Sequence, residues 1–143
     1  MAKPDPSLLD PKRYPFTCEI ETRYGDLDTN AHINNVALVS ICQEGRTRFH
    51  RASGFNIGST GVSAMIVSHT IEYLGQGQHP SPITVLGAVI ASGRTSQTMA
   101  QLLMQDGRVL AYAQSVIICT RDGKPTALPV SFLETIADWM LRP

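Results

Sequence analysis

Charge of one sign, long apolar runs and paired cysteines are what this sequence has least of, and each shortage removes a class of protein. Its 12 basic residues are matched by 12 acidic ones, so the formal net charge is zero. A chain so balanced has no overall field to draw it to nucleic acid or to an anionic membrane, and neither partner is expected. No apolar run approaches the ~20 residues that a helix needs to span a bilayer. Residues 1–15, rich in proline and charge, lack the apolar stretch of a secretory signal, so the expected location is the cytoplasm. The three cysteines, Cys18, Cys42 and Cys119, are odd in number and have no CxxC or Cys/His spacing. That argues against a disulfide framework and against a metal site, and leaves them as small buried residues in a reducing compartment.

What is present describes a single globular domain over residues 1–143, long enough to bury a core and too short for two catalytic modules. Residues 1–15 carry four prolines and read as an extended lead-in. Residues 16–24 alternate Phe16, Cys18, Ile20 and Thr22 against polar neighbours, the pattern of a half-buried strand. From 31 to 52 the periodicity is helical. The first half, with Ile33, Val36, Leu38, Val39 and Ile41, is apolar nearly all round and should be enclosed, whereas the second half, with Glu44, Arg46, Arg48 and His50, should emerge into solvent. Gly54 is placed to cap its C-terminus. After a Gly/Ser loop over 55–61, strands follow at 63–74, 83–91, 97–105 and 108–120, the last two joined by the hairpin signal Asp106-Gly107. Residues 131–141 read as a short helix with Ser131 and Glu134 as a capping box. There is no internal repeat. An α+β fold follows, in which a five-stranded antiparallel sheet buries one apolar helix by curling around it.

The chemistry is concentrated between Arg23 and Asn35, where Asp26, Asp28, Asn30, His32, Asn34 and Asn35 stand at the junction of a strand and a helix. The first turn of a helix presents N–H groups without intrahelical partners, and its dipole favours negative charge, so an oxyanion could sit there. If the turn is already helical at Asp28, that residue and His32, four apart, share one face. A cap would equally explain Asp28, and a loop hydrogen bond would explain His32. Glu44 lies about three turns further on, too far to share that site at 1.5 Å per residue, and is spaced to pair with Arg48. His69 and His79 have no neighbouring ligands in sequence.

This stretch resembles the hotdog-fold acyl thioesterases. Gly25-Asp26-Leu27-Asp28 followed by His32-Ile33-Asn34-Asn35 is similar to the 4-hydroxybenzoyl-CoA thioesterase branch, and Asp28-x-Asn30-x-His32-x-Asn34-Asn35 is closer still to the plant acyl-ACP thioesterases. The resemblance implies a hotdog fold, with a long central helix and a short C-terminal one. It also implies hydrolysis of an acyl-CoA, with acyl-ACP as the alternative substrate, and no metal or cofactor beyond the coenzyme A of the substrate. Subunits joined as a homodimer or homotetramer, with sites at their interface, are implied too. Asp28 takes the place of the catalytic carboxylate, acting as nucleophile or general base. Asn30 and His32 match supporting residues, the polarising amide maps near Asn35, and the turn holding Arg94, Thr95 and Ser96 matches the one that lines the pantetheine path. The aromatic-acyl enzymes carry glycine before the histidine and an aromatic residue after the Asn pair. Ala31 and Leu38 stand here instead, which leans toward an aliphatic acyl group. Two other readings share the scaffold. One is an enoyl-CoA hydratase, whose Asp-x-Asn-Pro-x-His motif is one residue longer than this one; the other is a non-catalytic acyl-CoA binding module.

Overall fold

A computed structural model describes residues 3–55 and 61–143. The loop expected over 55–61 therefore lies largely outside the described residues. One antiparallel sheet is built from β1 (Phe16–Ile20), β2 (Ser63–Tyr73), β3 (Ile83–Ser92), β4 (Ser96–Gln105) and β5 (Arg108–Arg121), in the spatial order β1-β3-β4-β5-β2. A two-residue strand, β6 (Lys124–Pro125), hooks back on β5. The long helix α1 (Asn35–Ala52) joins β1 to β2 and lies in the curl of the sheet. This is the hotdog architecture that the motif implies.

Local chemistry explains most of the boundaries. Asp106-Gly107 turns the chain between β4 and β5 with φ of 51° and 77°, and Asp122-Gly123 repeats the device with 51° and 76°. Positive φ at both central residues gives the turn twist that two-residue hairpins need, which is why Asp-Gly predicts them. β1 stops at Ile20, short of the expected residue 24, because the Asp26 carboxylate accepts hydrogen bonds from both the backbone N–H (2.9 Å) and the guanidinium (3.0 Å) of Arg23. That winds Tyr24–Asp26 into a single 3-10 turn.

The N-terminal lead-in is not extended. Asp5-Pro6 and Asp10-Pro11 each start a 3-10 turn, Pro6–Leu9 and Pro11–Arg13, because the aspartate caps the following N–H groups while the proline needs no partner for its own nitrogen. These turns place Leu8, Leu9 and Tyr14 on the outer face of the sheet, against Leu86, Leu102 and Tyr112. The C-terminal helix comes as two one-turn pieces, α2 (Val130–Leu133) and α3 (Ile136–Trp139). The expected Ser131 cap is not formed, since Ser131 Oγ donates instead to the carbonyl of Gly54. Gly54 itself follows the C-cap of α1 with φ of 78°, as expected.

The burial of α1 differs from its composition. It packs chiefly on β3, β1 and β4, through Ala37, Leu38, Ile41, Cys42, Gly45, Arg46 and Phe49. The close approach is set at Gly45, where an added methyl would overlap the side chain of Val85. The apolar first half is not enclosed: Val36 is 72% exposed. The polar second half does not fully emerge, because Arg46 is buried and Phe49 sits in an aromatic cluster with Phe16 (5.5 Å between centroids) and Trp139 (5.7 Å). No described helix is long and apolar enough to cross a membrane.

Candidate active site

The residues between Leu27 and Ile33 form a small hairpin loop, so the helix starts four residues later than the pattern suggests. Leu27 and Ile33 bridge as antiparallel partners. Asp28 N–H donates to the His32 carbonyl (2.9 Å), and Ala31 N–H donates to the Asp28 carbonyl (3.0 Å). Closing so tight a turn puts Ala31 at φ 60°, a conformation that costs a side chain roughly 1–2 kcal/mol. This gives a physical reason for glycine at that position in the aromatic-acyl enzymes.

Asp28 therefore does not share a helix face with His32. Its Oδ1 accepts the backbone N–H groups of Asn30 (2.9 Å) and His32 (3.1 Å), which fixes the carboxylate on its own loop. Oδ2 has no hydrogen bond among the described residues. Asp28 and Asn30 are exposed, and His32 is half-buried. The loop is held from outside by Ile33 N–H, which donates to the Gly77 carbonyl (2.8 Å).

Asn34 is the true N-cap. Its Oδ1 accepts from Ala37 N–H (2.7 Å), while its backbone N–H and its Nδ2 both donate to the Asp26 carbonyl (2.8 Å each). Asp26 is a structural residue of this junction. Burial acts to raise its pKa, but the two hydrogen bonds from Arg23 and the charges of Arg23 and His79 outweigh that, and its carboxyl titrates below the ordinary range. The later start of the helix changes which backbone N–H groups are free at this junction. Ile33 and Asn34 spend their N–H groups on Gly77 and Asp26. Those of Asn35 and Val36, at the open end of α1, have no partner among the described residues.

Asp28 and Asn35 line one open pocket of about 480 Å³, with Ile33, Leu38, Tyr73, Leu74, Gly75 and Gln76. Tyr73 OH donates to the Asn35 carbonyl (3.4 Å). The wall from Tyr73 to Gln76 was not anticipated. Its only trace in sequence is Gly75-Gln76-Gly77, glycines that let this loop lie against Ile33 and Val109, where a side chain would collide. Glu44 faces elsewhere: it pairs with Arg48 and lines a separate, smaller pocket with Arg23 and Asp26.

The turn holding Arg94, Thr95 and Ser96 lies at the opposite end of the sheet within the same subunit. Its backbone is held by Cys119 and Leu128, whose N–H groups donate to the Thr95 and Arg94 carbonyls (2.9 and 3.0 Å). Arg94 is exposed, and Thr95 and Ser96 are half-buried. Cys42 is wholly buried and donates to Gln101 Oε1 (3.1 Å), and burial raises its thiol pKa to about 11, so it is no thiolate nucleophile. Among the described residues no three His, Cys, Asp or Glu side chains cluster as a metal site requires.

Comparison with curated protein sequences gives no match. Among solved structures, the chain is similar to a thioesterase from Thermus thermophilus complexed with coenzyme A and zinc (22% identity over 92% of this chain and 98% of that one, TM-score 0.79). It is similar to a predicted thioesterase from Bacillus stearothermophilus (23%, 90% and 98%, TM-score 0.80). It is also similar to a 1,4-dihydroxy-2-naphthoyl-CoA thioesterase from Synechocystis (18%, 86% and 96%, TM-score 0.77). These likenesses establish the fold. The family model that matches residues 22–140 spans the loop, the helix and every strand but β1, and the chain belongs to the thioesterase-like superfamily.

Proposed function

We propose that this chain hydrolyses an acyl-CoA to free acid and thiol at the pocket between Asp28 and the start of α1. The observation that carries this reading is that one pocket joins a fixed, exposed carboxylate with the helix start, whose N–H groups at Asn35 and Val36 are unspent. The thioester oxygen would sit on those two N–H groups, where negative charge developing on it is stabilised by donors already in place. Asp28 would either take a proton from water as it adds to the carbonyl carbon or add to that carbon itself, to be released by water afterwards. In both routes the C–S bond breaks and the thiolate leaves with a proton.

The open pocket lies beside the end of β2, and a second copy of the chain is the proposed cover. Among the described residues β2 pairs only with β5, and its other edge is bare. Around that edge Met65, Val67, Tyr73 and Leu74 are exposed, together with Val36 of α1. A long unpaired apolar edge invites pairing with its own copy. Antiparallel pairing of two β2 strands would set the Ser63 end of one beside the Tyr73 end of the other. On the sheet, Met65 stands opposite Ile118 of β5, and Ile118 stands opposite Ser96 of β4. The Arg94–Ser96 turn of the second copy would thus approach the Asp28 pocket, where its hydroxyls and guanidinium could bind the pantetheine arm and phosphates.

The test is thiol release from acetyl-, hexanoyl-, decanoyl-, palmitoyl- and benzoyl-type CoA esters by wild type and Asp28→Asn, corrected for the chain's own cysteines. Asparagine keeps the Oδ1 acceptor for the loop amides, so the fold should hold while the rate falls ~10²–10⁴-fold. Undiminished hydrolysis by the variant would move the chemistry to another residue.

A further inference from the structure

Tyr73, the last residue of β2, carries its side chain across to the start of α1. It stands opposite Ala111 of β5, whose methyl group leaves the ring room over the inner face of the sheet. Its hydroxyl donates to the Asn35 carbonyl (3.4 Å), and the residue forms one wall of the Asp28 pocket. The ring thus stands between that pocket and the seam that runs on between α1 and β2. α1 packs chiefly on β3, β1 and β4, which leaves its flank toward β2 lightly covered. Val39, one turn beyond Asn35 on that flank, is 36% exposed, and Ile71, two residues before Tyr73 on the same face of β2, is half-buried. Both are apolar, so the seam past Tyr73 suits a hydrocarbon chain.

The back of the pocket is closed. Ile33 and Leu38, at 4% and 3% exposure, form its apolar floor. Behind them Cys42, Leu110 and Ala111 are wholly buried in the same core cluster, so no acyl group lengthens in that direction without opening the core. The mouth of the pocket is needed for the thiol arm. What is left for an acyl chain is the side toward the seam, and the Tyr73 ring lies across it.

We infer that Tyr73 sets the length of the acyl group, and that the preferred substrates are short-chain acyl-CoA thioesters. This rests on the hydrolase reading of the pocket. The ring meets the helix at the Asn35 carbonyl, no more than about one turn, roughly 5.4 Å, from its open end. A carbon chain advances roughly 1.3 Å per bond, since three bonds cover about 3.8 Å between successive Cα atoms. About four carbons therefore fit between the N–H groups of the helix start and the ring. A longer chain meets Tyr73 and turns back into solvent. Its added methylenes then contribute nothing to binding, whereas each one buried would contribute roughly fourfold.

The test separates binding from turnover. In calorimetry with S-butyl-CoA and S-octyl-CoA, thioethers that cannot be hydrolysed, wild type should bind the two within about threefold of each other, less than one buried methylene supplies. Tyr73→Ala should bind the octyl ligand about tenfold or more tighter than the butyl one, part of the gain that four more buried methylenes allow. Tyr73→Phe, which removes only the hydroxyl, should keep the wild-type pattern. Should Tyr73→Ala not fold or not assemble, Tyr73→Val keeps a good strand former with a smaller side chain and should show the same gain. Octyl-CoA bound about tenfold or more tighter by wild type would overturn the assignment. So would a loss in Tyr73→Ala equal for both ligands, which is what a merely structural role gives. Thiol release from butanoyl- and octanoyl-CoA then distinguishes the two readings. A wild-type kcat/KM higher for octanoyl-CoA defeats the length limit alone, and the binding gain in Tyr73→Ala without turnover of either ester by wild type defeats the hydrolase alone.

Discussion

β4 and β2 flank the same strand, β5, and are of nearly equal length, yet every residue of β4 is buried or half-buried and none of β2 is fully buried. β4 has α1 on its inner face and the N-terminal turns on its outer face. Among the described residues β2 has a bare edge, and it carries apolar side chains in solvent. The difference teaches that one side of the sheet is covered by the chain itself and the other is not, and the Asp28 pocket lies on the uncovered side, between α1 and the end of β2.

The largest effect on stability belongs to the covered side. Phe49 has no exposed surface and holds Phe16 and Trp139 edge-on. Phe49→Ala should therefore cost about 3–5 kcal/mol in denaturant unfolding while leaving subunit association unchanged.

Acid should reach the same side next. Burial, and then the Arg46 charge, depress His50 to about 4, so its neutral form is the folded one. Below the unfolded value of 6.5 the unfolded chain binds the extra proton, so stability falls as pH drops from 6.5 toward 4, by roughly 3 kcal/mol in full. His50→Gln should flatten the stability profile in that window, and an unchanged profile would mean that His50 is not held neutral.

The smallest effect lies on the open side. Ala31→Gly relieves a positive φ and should raise stability by about 1 kcal/mol or less, since glycine gives back part of the gain as chain entropy. Thermal unfolding would show it as a small rise in Tm.

The strands and the Asp106-Gly107 hairpin were legible because alternation and turn chemistry are local. The start of α1 was not. Asp28 caps two N–H groups of its own loop, and in sequence that looks like a helix cap, while the actual cap, Asn34, is hidden among three nearby asparagines. Asp28 and Asn35 could be singled out from the motif, but their pocket wall comes from Tyr73 to Gln76, contacts that no spacing within the motif reveals. Arg46 misled in the opposite way: in a run of polar residues it reads as a solvent-facing charge, and only the packing of α1 against β4 shows it buried.

The central claim is that the open side is the working side and that a second copy completes it. The direct measurement is thiol release per chain by wild type and Val67→Lys, with the assembly state of each followed by sedimentation. Lysine at this half-exposed edge position should leave the folded subunit within about 0.5 kcal/mol of wild type. The account predicts that dimers and hydrolysis are lost together in the variant and return together at high concentration. A folded, monomeric Val67→Lys that hydrolyses acyl-CoA at the wild-type rate would contradict it.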